Sequence, residues 1–301
     1  MSGSRARVLG VGIAVLDIVN EVATYPIEDA KVRASAQDRC LGGNVANSLG
    51  VLRQLGHACA WCGTYANDEP GREILDGLSD LGIDTAPAIG HAGSTTPTSY
   101  ISLSRETGSR TIVHFRDLPE LGPADFAHVS LDRYDWVHFE GRNPAETAVM
   151  LEDCATRRPQ LPISMEIEKP RPGVERLIEG PQVVIFSRDF AHSCGFEDPE
   201  AFLSAQWERT SANLLLLPWG AQGAYGQARG AAACFAPPYA PPELLDTLGA
   251  GDVFNAAIID GMLETLELPQ LLARANGLAG HKCGRRGLHG VVASARSARL
   301  L

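Results

Sequence analysis

The residues best suited to chemistry lie in a glycine-rich segment, 244–255, with the sequence L-L-D-T-L-G-A-G-D-V-F-N. Gly249, Ala250 and Gly251 offer three consecutive backbone N–H groups that almost no side chain screens. Apolar residues at helical spacing follow, so these groups fall at the start of a predicted helix, where N–H groups lack intrahelical partners and attract anions. Beside them, the Asp252 carboxylate can take a proton from an attacking hydroxyl. The segment therefore predicts phosphoryl transfer, with 249–251 as an anion hole and Asp252 as the general base.

A second pair of chemical side chains, Asn44 and Asn47, follows two glycines at the start of another predicted helix, which ends at Gly56. Residues three apart near a helix start project from the same face. Side-chain amides both donate and accept hydrogen bonds, so the pair suits the neutral hydroxyls of a sugar. Asn44 taken alone would favour a role as a helix cap.

The strings D-T-L-G-A-G-D-V-F and G-G-N-V-A-N together resemble the two signatures of the PfkB/ribokinase family of carbohydrate kinases. The resemblance implies an ATP-dependent kinase with Mg2+ as cofactor. It also implies that Gly43, Asn44 and Asn47 hold the acceptor sugar, with Asp17 accepting from a hydroxyl. Three more strings, G-S-R-T-I, H-F-E-G-R-N and E-I-E-K-P-R, match members that phosphorylate the 1-hydroxyl of a ketohexose such as D-fructose.

The same resemblance assigns further residues to the two substrates. Arg110, in G-S-R-T-I, would reach the transferring phosphate, and the planar guanidinium fits phosphate oxygens. Asp29, in Y-P-I-E-D, and Glu140 would line the acceptor pocket, although Glu140 suits a strand-end salt bridge equally well. The residues expected to bind the nucleotide are Trp219, Ala221, Gly223, Tyr239, Pro241, Thr247 and Cys283.

The metal ligands are the least determined part of this prediction. Glu166 and Glu168 alternate near the end of a predicted strand, so they share a face and could hold Mg2+ through water. Many family members carry an N-x-x-E motif after the next strand, where this chain has S-R-D-F at 187–190, which leaves the Mg2+ ligands open. The family also implies that K+ could bind near Asp246.

The elements that must position these residues alternate between strand and helix patterns along the chain. This alternation predicts an α/β fold with a predominantly parallel sheet and helices on both faces. The resemblance implies one ribokinase-like domain over 1–301, with a small β-sheet lid formed by about 14–40 and 97–118. In the relatives that the three further strings match, two such lids interlock, which implies a homodimer. The basic tail, 294–301, is expected to fray.

Composition excludes several other classes of protein. The formal net charge is -10, which argues against a nucleic-acid partner. No apolar run near the N-terminus is long enough for a signal peptide or membrane span, and seven cysteines without framework spacing predict a cytoplasmic protein. Gly10-Val11-Gly12 lacks the third glycine and the helix of a dinucleotide-binding fingerprint, so a dehydrogenase is not predicted.

Two alternative functions stay open at this point. One is a kinase of the same family with another acceptor, such as ribose, a 2-keto-3-deoxy sugar acid, a nucleoside or a sulfosugar. The other is a catalytically silent sugar sensor. The intact Asp252 and glycine turn favour an enzyme over the sensor.

Overall fold

The centre of the fold is a nine-stranded sheet in a computed structural model that describes residues 5–301. Seven neighbouring strands run parallel, the eighth runs antiparallel to them, and the ninth pairs antiparallel with the eighth and so runs in the direction of the first seven. In spatial order the strands are β6 (Ile83–Asp84), β4 (Ala58–Cys62), β1 (Arg7–Val11), β10 (Trp136–Glu140), β11 (Ile163–Ile167), β12 (Val183–Phe186), β13 (Leu214–Pro218), β14 (Ala224–Ala228) and β15 (Cys234–Ala236).

Helices cover both faces of this sheet, as the sequence predicts. They are α1 (Asn44–Leu55), α2 (Glu69–Asp80), α3 (Pro123–Phe126), α4 (Pro144–Arg157), α5 (Arg188–Ser193), α6 (Pro199–Gln206), α7 (Ala250–Leu263), α8 (Leu268–Cys283) and α9 (Val291–Ser297). Successive strand residues point to opposite faces, so Val8 joins one apolar core and Leu9 the other. Gly10 permits the close approach of α1, because a Cβ there would lie 2.6 Å from Val45 Cγ1.

The expected lid is a separate four-stranded sheet, which confirms the sequence-based prediction. Its strands are β3 (Ala36–Gly42), β2 (Val15–Val22), β8 (Thr98–Ser104) and β9 (Arg110–Phe115), in that spatial order. β8 and β9 form an antiparallel hairpin, and β2 pairs in parallel with β8. A further small parallel sheet joins β5 (Thr64–Ala66) and β7 (Ile89–His91).

The C-terminal segment differs from the sequence-based expectation. Rather than fraying, residues 291–297 form α9, whose Val291, Val292 and Ala295 are buried in the core next to α1 and α8. The basic side chains that suggested a loose tail lie on the outer face of this helix, so the apolar face decides the outcome. Among residues 5–301, none of the helices combines the length and the apolar character that crossing a bilayer requires.

Candidate active site

A cavity of about 540 Å³ opens where the parallel strands end, between the main sheet and the lid. Ligand sites of open α/β sheets collect at this edge, because the loops that follow the strands converge there. The chain reaches the cavity from β1 through Ile13, from β10 through Glu140, from β12 through Ser187 and from β13 through Pro218. Lid residues Asp17 and Arg110 line the same cavity.

The two predicted signatures meet at the centre of the cavity, because the N-termini of α1 and α7 lie side by side. Asn47 Nδ2 donates to Asp252 Oδ2 at 2.7 Å, across 205 positions of sequence. Ser48 Oγ donates to the backbone carbonyl of Asp252 at 3.1 Å and holds the two helices together. Gly43 begins α1 with φ 106°, and a Cβ there would lie 2.3 Å from the Ile13 carbonyl oxygen. Only glycine fits this turn.

The glycine turn presents free N–H groups to the cavity. Gly249 begins α7 in the left-handed region with φ 78°, and both Gly249 and Gly251 line the cavity. The N–H of Ala250 donates to the Thr247 carbonyl at 3.3 Å, whereas those of Gly249 and Gly251 have no acceptor within residues 5–301. The turn is therefore ready to bind an anion at the helix N-terminus.

Buried carboxylates surround the predicted base. Glu166 accepts from Asn44 Nδ2 at 3.0 Å and from Asn255 Nδ2 at 2.8 Å, and Glu168 accepts from the same Asn44 nitrogen at 3.2 Å. Burial, followed by the charge of Glu140, raises the pKa of Glu166 to about 7. Burial, followed by the charge of Glu166, raises the pKa of Asp252 well above its ordinary value. This end of the cavity therefore favours a positively charged ligand.

Sequence and fold comparisons place the chain among known kinases. The sequence matches the profile of the pfkB family carbohydrate kinases over residues 5–293. It is similar to ketohexokinase of Mus musculus, with 33% identity over 294 residues, which cover 95% of this chain and 99% of that protein. The chain belongs to the pfkB family of carbohydrate kinases. It is therefore an ATP-dependent sugar phosphotransferase.

Solved structures confirm the ribokinase-like fold. The structure of Arabidopsis thaliana ribokinase complexed with ribose and ATP superimposes with a TM-score of 0.80 at 18% identity, covering 97% of this chain and 99% of that one. Ribokinase from Cryptococcus neoformans var. grubii serotype A in complex with ADP gives the same TM-score at 17% identity, with the same coverage. By sequence, the chain is also similar to Fructokinase-1 of Zea mays, with 25% identity over 292 residues, which cover 88% of this chain and 85% of the maize protein.

In this pfkB kinase, Asp17 and Glu140, which the sequence predicts on the acceptor side, both line the cavity. Burial raises the pKa of Asp17, and its hydrogen bond with Ser99 acts in the opposite direction. Glu140 Oε2 accepts from the Ile13 N–H at 3.0 Å, and burial raises the pKa of Glu140 to about 6 despite the charge of Arg142, whose Nη1 lies 3.8 Å from Oε1. The sequence left two roles open for Glu140, and in the structure it both lines the pocket and faces an arginine.

Apart from Thr247, the residues expected to bind the nucleotide do not line the cavity and form two groups outside it. Tyr239 and Pro241 pack against the end of α8, near Cys283. The packing is close, since a Cβ on Gly280 would lie 2.2 Å from the Tyr239 carbonyl oxygen and one on Gly284 would lie 2.8 Å from Pro241. Ala221, Gly223 and Trp219 belong to the turn between β13 and β14, where Trp219 is buried and packs against His192, with ring centroids 4.9 Å apart.

Thr247 and Asp29 occupy different environments. Thr247 lines the cavity, and its hydroxyl accepts from Arg110 Nη1 at 2.9 Å, so the lid reaches the glycine turn. Asp29 lies in the exposed loop between β2 and β3, with φ 62°, outside the cavity of its own chain.

The sequence-based prediction missed several residues of the site. Asn255 is buried and bonded to Glu166, and its position three residues after Asp252 on a helix was a usable signal. Four basic or titratable side chains also line the cavity without having been assigned: His114, Arg142, Lys169 and Arg171. They occur in the matched strings or beside them, but only the fold shows that they converge.

Proposed function

We propose that this kinase transfers the γ-phosphoryl group of ATP to the 1-hydroxyl of a ketohexose such as D-fructose. The observation that carries the proposal is the 2.7 Å contact between the Asn47 amide and the Asp252 carboxylate, which puts a sugar-binding group and a base at one point. The similarity to ketohexokinase of Mus musculus over nearly the whole chain supports the choice of acceptor.

Each group has a distinct task in the proposed mechanism. Asn44, Asn47 and Asp17 hold the sugar through hydroxyl hydrogen bonds. Asp252 accepts the proton of the 1-hydroxyl as the hydroxyl oxygen attacks the γ-phosphorus of ATP and ADP leaves. The raised pKa of Asp252 makes its carboxylate a stronger base when ionised. The free N–H groups of the glycine turn stabilise charge on the equatorial phosphoryl oxygens. Arg110 approaches from the lid and adds a planar set of donors.

The carboxylates of Glu166 and Glu168, which line the cavity, fit Mg2+. Glu166 and Glu168 accept from the same Asn44 nitrogen, so their carboxylate oxygens lie close together. Mg2+ prefers oxygen ligands and keeps several waters, with substrate phosphates completing its shell. Bound there, Mg2+ would neutralise phosphate charge.

We also propose that two copies associate through the lid, with Asp29 of one copy completing the acceptor pocket of the other. The outer strand β9 is exposed along its whole length. Its Val113 is 66% exposed and Phe115 is 52% exposed, and Ile27, in the same loop as Asp29, is 79% exposed. An open, apolar sheet edge of this kind favours pairing with another chain. Light scattering of the purified protein measures the expected dimer, and a monomer at all concentrations would overturn it.

An acceptor panel tests the proposed function. ADP release is measured with ATP, Mg2+ and each of fructose, ribose, tagatose, psicose, 2-keto-3-deoxygluconate and adenosine. We expect the highest kcat/KM with fructose, and phosphorus NMR of the product should show a phosphate coupled to the two protons of C1. Turnover on none of these acceptors, in spite of sugar binding, would instead support the silent sensor.

One observation favours an acidic acceptor as the second candidate. Arg142, Lys169 and Arg171 line the cavity together with Arg110, so four cationic side chains reach it. A triphosphate accounts for part of this charge, and a sugar acid would account for the rest. A kcat/KM for 2-keto-3-deoxygluconate above that for fructose would decide for this alternative.

A further inference from the structure

Lys282 is a buried cation that the mechanism above does not use. It lies near the end of α8, and its side chain is 0% exposed. Its Nζ donates to Asp246 Oδ2 at 2.6 Å and to the Asp246 backbone carbonyl at 2.8 Å. Asp246 begins the segment that leads through Thr247 into the glycine turn. A desolvated ammonium is costly unless it is paired, so this lysine must be held by those two oxygens.

The Asp246 carboxylate also accepts two backbone hydrogen bonds. Oδ1 accepts from the Leu248 N–H at 2.8 Å, and Oδ2 accepts from the Gly287 N–H at 3.0 Å. The N–H groups of Leu245 and Asp246 donate to the Cys283 carbonyl at 2.9 and 3.1 Å. The segment before the glycine turn is therefore fastened on both sides to the end of α8 and the loop that follows.

The expected K+ does not fit at this position. A carboxylate oxygen and a backbone carbonyl oxygen are the donors that a monovalent cation would use, and here both already contact the Lys282 ammonium. A second cation on the same two oxygens would lie within a few ångströms of Nζ, and two like charges at that distance repel each other strongly when water is excluded.

We infer that Lys282 is the permanent counter-ion of the glycine turn, so that this kinase needs no monovalent cation. Lys282 acts as a positioning residue, because it contacts Asp246 and is not among the residues that line the cavity. Its charge fixes the direction in which the chain enters 249–251, and so keeps the free N–H groups aimed at the phosphoryl group. This inference rests on the proposed role of the glycine turn as anion hole.

The first test uses the unaltered protein. ADP formation from ATP, Mg2+ and the best acceptor is quantified by chromatography in choline chloride, and choline is then replaced by K+, Na+ or NH4+ at constant ionic strength. We expect kcat to stay the same within experimental error in every salt. An activation of several-fold by K+ would overturn the inference even though the kinase assignment would stand.

The second test removes the ammonium with Lys282→Met, which keeps an unbranched apolar side chain of similar length. Loss of a charged hydrogen bond to the turn should lower kcat about 10–100-fold in choline chloride, with KM for the sugar nearly unchanged. NH4+ or K+ should restore part of kcat, because the two Asp246 oxygens would then have room for a small cation. A purely structural role for Lys282 would give no such cation response, and its absence in a folded variant would overturn the inference.

Arg285→Met is the matched control. It removes one positive charge from the same segment, but Arg285 Nη1 donates to Ser294 Oγ and does not contact Asp246. We expect it to respond to no cation. The thermal midpoint of Lys282→Met without any sugar supplies an independent readout, since K+ should raise it and leave that of the unaltered protein in place. This readout distinguishes a failure of the inference from a failure of the proposed acceptor.

Discussion

The two aspartates that flank the glycine turn, Asp246 and Asp252, are six positions apart and have opposite electrostatic environments. Burial alone would raise the pKa of Asp246, but the hydrogen bond and charge of Lys282 outweigh it and lower the pKa. Among residues 5–301, only the Asn47 amide donates a hydrogen bond to the Asp252 side chain, and burial and the charge of Glu166 raise its pKa. The charge of Asp246 is therefore neutralised by Lys282 within the fold, whereas the charge of Asp252 has to be compensated by bound ligands.

The largest expected effect comes from breaking the reactive side of this comparison with Asp252→Asn. The amide keeps the hydrogen bond geometry but cannot accept the proton, so kcat should fall ~10²–10⁴-fold with sugar binding largely retained. Steady-state kinetics and sugar titration measure the two effects. Asp260→Asn on the same helix is the control, because Asp260 pairs with His57 and Arg274 away from the cavity. A wild-type rate for Asp252→Asn would contradict the assignment of the base.

Replacing the neutralised aspartate with Asp246→Asn should lower stability, in addition to the loss of kcat expected from breaking the same pair with Lys282→Met. The change leaves the fully buried Lys282 ammonium without its counter-charge, and removing one partner of a buried pair typically costs about 3–5 kcal/mol. Urea unfolding measures the free energy directly. Asp189→Asn, whose side chain is 83% exposed, should leave it unchanged within experimental error. Equal stability of the two variants would show that the Asp246–Lys282 pair is not held as described.

The pH dependence of stability sharpens the comparison of the two aspartates. The carboxylates around Asp252 have raised pKa values and should titrate near neutrality, whereas the pKa of Asp246 is lowered. The pKa of Glu166 is about 7 in the folded protein and 4.5 ordinarily, so the folded state holds a proton that the unfolded chain has released in this window. The free energy of unfolding should therefore fall, by on the order of 2 kcal/mol, as pH rises from about 5 to about 8.

Mg2+ binding should remove most of that fall, since a cation stabilises the ionised carboxylates. Urea unfolding at several pH values, with EDTA and then with Mg2+, measures both parts of the effect. Stability that rises over the same window without Mg2+ would contradict the raised pKa values.

The smallest expected effect is a shift in the pH profile of Glu166→Gln. Removing the Glu166 charge should lower the pKa of Asp252, so the acidic limb of kcat/KM should move to lower pH by on the order of one unit. Mg2+ should also bind more weakly, which a titration of ADP formation with Mg2+ detects. An acidic limb that moves to higher pH would mean that Glu166 does not face the base.

Much of the fold could be predicted because local patterns and global packing agree. The strands of the main sheet are short apolar runs, and the helices between them carry one apolar face, so each element could be located from periodicity. In α4, for example, the buried residues Ala148, Leu151 and Cys154 recur at helical spacing. The C-terminal tail was the exception, because its basic residues obscured the three apolar positions that bury α9.

The site was predictable to a lesser extent. Glycines with positive φ at Gly43 and Gly249 mark the two helix starts, and Asn47 and Asp252 follow at fixed spacing. The role of Lys282 could not be predicted, because a lysine near the end of an amphipathic helix is usually exposed. Only the folded structure, in which the end of α8 packs against Asp246, shows that Lys282 is buried and paired.

The sequence by itself determined the elements, their order and the two signatures of a pfkB kinase, since these depend on side-chain type and short-range spacing. Tertiary structure decided which charges meet. Asn47 and Asp252 are 205 positions apart, and Asp246 and Lys282 are 36 apart, yet each pair forms a short hydrogen bond. Burial and distance set a carboxylate's pKa, and both are properties of the folded chain, so the difference between the two aspartates exists only once the sheet and helices have packed.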